Sequence, residues 1–168
     1  MADRLIAIDD EEFALATLWQ RVGGGVIDWV VLFVVFLTFA LMSGLDFFTG
    51  PFELFSTRME VASASPPLWY AALEIAIGAI YFVYLIGTRG KTLGKMAVGT
   101  RVVSLDHAGI PGYHVAFMRW ALPGIAGILT FWSNSATLLS LAIYLPILFQ
   151  DRRQGAHDLV AKTCVIKD

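Results

Sequence analysis

Four apolar stretches separated by polar or turn-forming residues set the pattern of this chain. The first runs from Val22 to Ser43 with a single charge, Asp28, inside it, and the second from Leu68 to Gly87 is interrupted only by Glu74. At 1.5 Å per residue, about 20 residues cover a ~30 Å hydrocarbon core, so both predict membrane-crossing helices. The third, from about Val115 to Trp132, carries Arg119 near its start and Pro123-Gly124 inside it. The fourth spans Ala136 to Phe149 with Pro146 near its end, and Ser133-Asn134-Ser135 joins the last two as a polar turn. Both are shorter than a usual span. They predict a thin, tilted transmembrane hairpin, because Arg119 can snorkel and add a turn, with a re-entrant hairpin as the alternative.

The connections carry patterns of their own. Phe52, Phe55, Met59 and Ala62 recur at helical spacing behind Pro51, which predicts a short helix lying on the outer surface. Leu93, Met96, Ala97 and Thr100 form one stripe, with Lys91 and Lys95 on another, which predicts an interfacial helix whose cations suit anionic head groups. Thr100–Asp106 is rich in β-branched residues and runs into His107-Ala108-Gly109, and Thr163-Cys164-Val165-Ile166 is strand-like too. These two segments predict a small sheet. The fold expected is therefore all-α: a four-helix transmembrane bundle, helices about 22–43, 68–87, 115–132 and 136–149, with interfacial amphipathic helices and a small cytoplasmic β element. Residues 1–20 form a cytoplasmic N-terminal arm and residues 21–168 the membrane domain.

Composition agrees with the pattern. Of 168 residues 57% are hydrophobic and only 15% charged, against about 45–50% and a quarter in a soluble domain. A net charge of −2 gives no basic face for nucleic acid. The single cysteine, Cys164, excludes an intrachain disulfide and any multi-cysteine metal site. The N-terminal arm holds Asp9, Asp10, Glu11 and Glu12 and no short apolar core with a cleavage site, so the first helix is expected to stay as an uncleaved anchor. Eleven of the twelve Lys and Arg residues fall in the N-terminal arm, the Gly87–Arg119 connection and the tail, leaving Arg58 alone on the other side. The positive-inside rule then predicts that both termini and the central loop are cytoplasmic.

Gly90-Lys-Thr-Leu-Gly-Lys95, Gly99-Thr-Arg-Val-Val103, the tail Asp151-Arg-Arg-Gln-Gly-Ala-His-Asp158 and Ala161-Lys-Thr-Cys-Val165 resemble the RDD family of small bacterial membrane proteins. The resemblance covers almost everything from Gln20 to Ile166. That family is named for one arginine and two aspartates. Its arginine opens the first membrane helix and its first aspartate lies within it, which correspond to Arg21 and Asp28 here; the second aspartate corresponds to Asp151 or Asp158. Glu74 has no counterpart in the family pattern. The resemblance implies a bacterial inner membrane protein, and a transport role suggested for the family, some members being proposed as sodium–proton-type antiporters.

A carboxyl buried at mid-helix costs roughly 2.5–3.5 kcal/mol on insertion scales, which makes Asp28 the first candidate for function. Arg21 lies two helical turns before it, on nearly the same face. Glu74 is a second intramembrane acid, either an outer station for a cation or proton or a protonated acid hydrogen-bonded to a neighbouring hydroxyl such as Tyr81 or Thr38. Arg119, Asp151, Arg152, Arg153, His157 and Asp158 are expected to gather as a charge cluster at the cytoplasmic ends of the last helices. His157 adds a side chain that ordinarily titrates near neutral pH, a candidate proton gate. Asp28 is expected to contact Arg21 or Arg119, and a tail aspartate another arginine. His107 and His114 lack partners at metal spacing, and Gly90–Lys95 lacks the spacing of a phosphate loop, so no metal, cofactor or nucleotide is expected. No catalytic triad or dyad is legible, and no enzyme is expected. Two functions follow. One is a small cation- or proton-coupled transporter acting as an oligomer, with Asp28, Arg21 and Glu74 as its coupling residues. The other is a non-transporting scaffold or accessory subunit that recruits a larger membrane partner through its cytoplasmic loop and tail.

Overall fold

A computed structural model describes residues 4–43, 68–130 and 136–168. The elements in chain order are β1 (Leu5–Ile8), β2 (Glu11–Ala14), α1 (Leu18–Ser43), α2 (Leu68–Arg89), α3 (Leu93–Ala97), β3 (Thr100–Ser104), α4 (Gly112–Thr130), α5 (Ala136–Tyr144), a 3-10 turn (Leu145–Leu148), α6 (Ala156–Val160) and β4 (Thr163–Lys167). The molecule is mostly helical with small β elements. Among the described residues α1 and α2 are long and apolar enough to cross a membrane, at mean hydropathies of 2.4 and 1.8. The outer-surface helix expected around Phe52–Ala62 and the Ser133-Asn134-Ser135 turn lie outside the described residues.

The helix ends follow local chemistry. Helix α1 starts at Leu18, a turn earlier than its apolar run, because Thr17 and Gln20 form a capping box: the Gln20 N–H donates to Thr17 Oγ1 (3.2 Å) and the Thr17 N–H to Gln20 Oε1 (3.0 Å). Helix α2 stops at Gly90, whose φ of +67° suits glycine and whose N–H bonds the Ile86 carbonyl at 2.9 Å. Helix α4 runs through Pro123. By contrast α5 ends at Tyr144, and Pro146 confines the continuation to a 3-10 turn. Nine residues of α5 cover about 14 Å, under half of a ~30 Å core.

The expected pairing of the two strand-like segments is present: β3 and β4 are antiparallel, with Val102 opposite Val165 and Val103 opposite Cys164. Both faces of this two-stranded sheet are covered, which is why Thr100–Ser104 reads as a run instead of an alternation. One face, carrying Val103, Cys164 and Ile166, packs on Ile6, Ile8 and Leu15. The other, carrying Val102 and Val165, packs on Ala16, Ile86 of α2 and Ala116 of α4.

The β1–β2 hairpin is absent from the expected fold. Its turn is Asp9-Asp10, both at positive φ (53° and 63°), the backbone of a tight hairpin turn that Asp tolerates. Past β2, Leu15 bridges to Ile166 and the Ala16 N–H bonds the Val165 carbonyl at 3.0 Å. The N-terminal arm, the central connection and the tail thus form one β module and stand together at one end of the helices.

Candidate functional site: a buried charge latch, an acid cage and a groove

The deepest charges meet where α1, α4 and α6 converge on the module. Gly155 is the N-cap of α6, and Asp158 at its third position turns back so that Oδ2 accepts from the Gly155 N–H at 3.0 Å. The same Oδ2 accepts from Arg21 Nη1 at 2.9 Å, and Oδ1 pairs with Arg119 Nη1. The Asp158 side chain is fully buried and each arginine side chain is only 7% exposed. Arg119 Nη1 also donates to Thr163 Oγ1 at 2.6 Å, tying α4 to the helix-facing side of β4. Burial alone would push the Asp158 carboxyl up; the Arg119 and Arg21 guanidiniums outweigh it and hold the carboxyl well below the usual carboxylate range.

His157 lies against this latch, its Nε2 3.4 Å from both Arg119 Nη2 and Asp158 Oδ1. Burial lowers its pKa to about 4, against the pull of Asp158, so the ring is neutral at physiological pH instead of titrating near neutrality. In the Nδ1–H tautomer the neutral ring offers Nε2 as an acceptor to the Arg119 guanidinium.

Asp28 has a different environment from the one expected. It is buried in α1, yet its partners are neither Arg21 nor Arg119. Tyr81 of α2 donates its hydroxyl to Oδ1 at 2.7 Å, Thr92 donates to Oδ2 at 2.6 Å, and the Gly94 N–H donates to Oδ1 at 2.7 Å. The donors are themselves fixed. Thr92 caps α3 by accepting from the Lys95 N–H, and Tyr81 Oη accepts from the Leu93 N–H. Gly94 is required by this approach: a Cβ there would collide with the Gly24 carbonyl and lie 2.8 Å from Asp28 Cγ. On the α1 side Gly24 gives the room, since a Cβ there would lie 3.4 Å from the Gly94 backbone of α3. Arg21, two turns away on the same helix, points to Asp158 because the tail supplies a fully buried carboxylate at its own level.

The remaining expected site residues separate. Glu74 is half-buried in α2 and hydrogen-bonds Tyr70 one turn away, not Tyr81 or Thr38. It lines a small recess with Trp120 and Gly127, apart from Asp28. Asp151 is fully exposed, 3.8 Å from Arg4, and Arg152 is exposed at the surface. Arg153 Nη1 donates to the Ala16 carbonyl at 3.0 Å. Only Arg119, His157 and Asp158 of the expected charge cluster come together, joined by Arg21. Among the described residues no three His, Cys, Asp or Glu side chains converge on a point that could hold a metal ion.

Between α1 on one side and α4 with the α5 end on the other lies a groove of about 910 Å³. Its walls are apolar, including Val22, Val26, Trp29, Phe82 and Leu148. Arg21, Arg119, His157 and Lys95 line it as well. Among the described residues the Lys95 ammonium has no hydrogen bond or ion pair; only its backbone groups are engaged, by Thr92 and Thr100. Burial lowers its pKa to about 8, with Arg119 lowering it further while Asp28 and Asp158 pull it back up. The amphipathic stripe predicts Lys95 at the membrane surface, whereas it lines the groove; Thr92 and Gly94 are functional positions that the pattern does not single out, the Thr92-to-Lys95 spacing of a helix cap being the signal for the first.

Two long apolar helices, with a β module at one end and a buried Arg–Asp–Arg latch joining α1 and α4 to α6 there, define a small helical membrane protein. A model of the RDD family matches residues 15–162, nearly the whole chain including Arg21, Asp28 and Asp158, and the chain belongs to that family of membrane proteins. No curated protein and no solved structure matches it.

Proposed function

We propose that the protein is a non-transporting membrane module: a scaffold or accessory subunit that holds its β module rigidly at the cytoplasmic face of the bacterial inner membrane for a larger partner. The observation that carries this reading is the saturation of the buried acids. Asp158 sits between two arginines, and both oxygens of Asp28 are taken by protein donors with fixed positions. A coupling carboxylate must exchange its partners for a proton or cation in each cycle, and a pre-satisfied cage opposes that exchange. The groove beside Asp28 presents Arg21, Lys95 and Arg119, a surface that repels a cation.

In this reading α1 and α2 cross the bilayer, α4 and α5 dip alongside as a thin tilted hairpin, and both termini are cytoplasmic. Clustering of the N-terminal arm, central connection and tail in one module supports a common side for all three. Purified protein in proteoliposomes should show no cation/proton exchange, and a larger membrane partner should co-purify in stoichiometric amount. Cysteines added at either terminus should be labelled only from the cytoplasmic side. Native Cys164 is buried and its thiol is pushed up to about 11 by burial, so it gives little background.

A second reading, a small cation- or proton-coupled transporter working as an oligomer, is favoured by one observation: Asp28 borders the groove. Exchange that is present in wild-type vesicles and abolished in a folded Asp28→Asn variant would establish it and overturn the scaffold.

A further inference from the structure

We propose that the groove between α1 and the α4–α5 hairpin binds one anionic phospholipid, with its phosphate at the Lys95 ammonium and the Arg21 edge and an acyl chain along Val22, Val26 and Trp29. Length is the first argument. The groove is lined from Leu18 to Leu32 of α1, a rise of about 21 Å along the helix and more than one leaflet of a ~30 Å core. A compact soluble anion would leave most of that length empty; a head group with its chain fills it.

Polarity is the second argument. On both long walls the arginine comes at the end next to the sheet, Arg21 on α1 and Arg119 on α4. Beyond it the lining is mostly apolar: Val22, Val26, Trp29 and Leu32 on one side, Trp120 and Pro123 on the other. Asp28 is the exception, and protein donors cover both of its oxygens. Basic pockets between membrane helices are the form in which acidic head groups are held.

Unmet hydrogen-bonding capacity is the third. Asp158 serves both arginines, and among the described residues Arg21 Nε has no partner in a side chain only 7% exposed and Lys95 offers three unused donors. Counting the lining residues Arg21, Arg119 and Lys95 against Asp28, and against Asp158 buried behind the two arginines, the site is one positive charge in excess with His157 neutral. One phosphodiester matches it. The chain wall is open to lipid, for Val22, Val26 and Trp29 are 49%, 54% and 65% exposed.

The test is native mass spectrometry of the delipidated full-length protein in detergent, titrated with phosphatidylglycerol and with phosphatidylcholine. Wild type should retain one phosphatidylglycerol per chain in preference to phosphatidylcholine. Lys95→Met should reduce that preference about fivefold, the effect expected of one interfacial lysine. Lys91→Met, which removes a cation paired with Asp168 away from the groove, should leave it unchanged. Val26→Trp, at an exposed wall position, should lower phosphatidylglycerol retention by filling the chain channel. Equal retention of the two lipids, an unchanged preference in Lys95→Met, or equal losses in Lys95→Met and Lys91→Met would overturn the site. Displacement of the lipid by glycerol 3-phosphate would assign the groove to a soluble anion and also overturn it.

Discussion

Replacing Asp158 with asparagine changes one atom's identity and removes the carboxylate shared by Arg21 and Arg119. Both guanidiniums stay where packing holds them, 7% exposed, now without a counter-charge and facing each other. At an effective dielectric near 20, each opposite-charge pair attracts by roughly 4 kcal/mol at 4 Å before desolvation is subtracted. Stranding a buried charge by deleting its partner costs about 3–5 kcal/mol. Asp158→Asn should therefore lose about 3–5 kcal/mol or more, a large share of a total stability of roughly 5–15 kcal/mol. Arg21→Met or Arg119→Met leaves a neutral one-to-one pair and should lose less, about 1.5–3 kcal/mol, the value of a charged hydrogen bond. The order, with aspartate worse than either arginine, is the specific claim. Equilibrium unfolding in mixed SDS micelles, followed by tryptophan fluorescence, measures it. In the Arg21→Met/Asp158→Asn double mutant the losses should fall short of additivity by about 1 kcal/mol or more, beyond the ~0.5 kcal/mol seen for independent sites. Additive losses, or an Asp158→Asn variant as stable as wild type, would refute the latch.

Acid should loosen the same region through His157: its folded pKa of about 4 lies below the usual 6.5, so between these values the unfolded chain binds more protons. That contribution to stability is intact above about pH 6.5 and is lost as pH falls toward 4, by about 3 kcal/mol in full; a His157→Gln variant should show a shallower pH slope, and an identical slope would count against it. Gly94→Ala should cost about 1–3 kcal/mol or more by forcing a methyl against the Gly24 carbonyl and Asp28, seen as a lower melting temperature and a proteolytically weaker α3, while wild-type stability would mean that α1 and α3 are not so close. Leu15→Ala, at 2% exposure between hairpin and sheet, should cost about 2–5 kcal/mol in the same unfolding assay, and a loss under about 1 kcal/mol would show that the hairpin does not pack there.

The apolar runs from Val22 and Leu68 were sufficient to read α1 and α2, because about 20 apolar residues broken by a single acid have few stable places other than a bilayer. The β3–β4 pair was legible in Thr100–Asp106 and Thr163–Ile166 for a similar local reason, a density of β-branched residues closed by a turn. Asp28 was legible as a residue that demands partners, since a buried charge is costly wherever it sits. Which partners it finds was not. Helical spacing put Arg21 on its face, but a contact across two turns competes with contacts from other elements. Tyr81, Thr92 and Gly94, 53 to 66 residues away, supply hydrogen bonds of 2.6–2.7 Å from fixed donors instead. The choice between Asp151 and Asp158 was likewise tertiary: both flank the same basic tail, and only the capping turn of α6 carries one of them inside. Hairpin β1–β2 was missed because four acids at Asp9–Glu12 read as a solvated arm, while Ile6 and Ile8 behind them acquire a reason to order only from the sheet they cover. Local sequence fixes elements whose driving force is local or set by the solvent; the pairing of buried charges is settled by long-range packing, which decides which donors reach a carboxylate first.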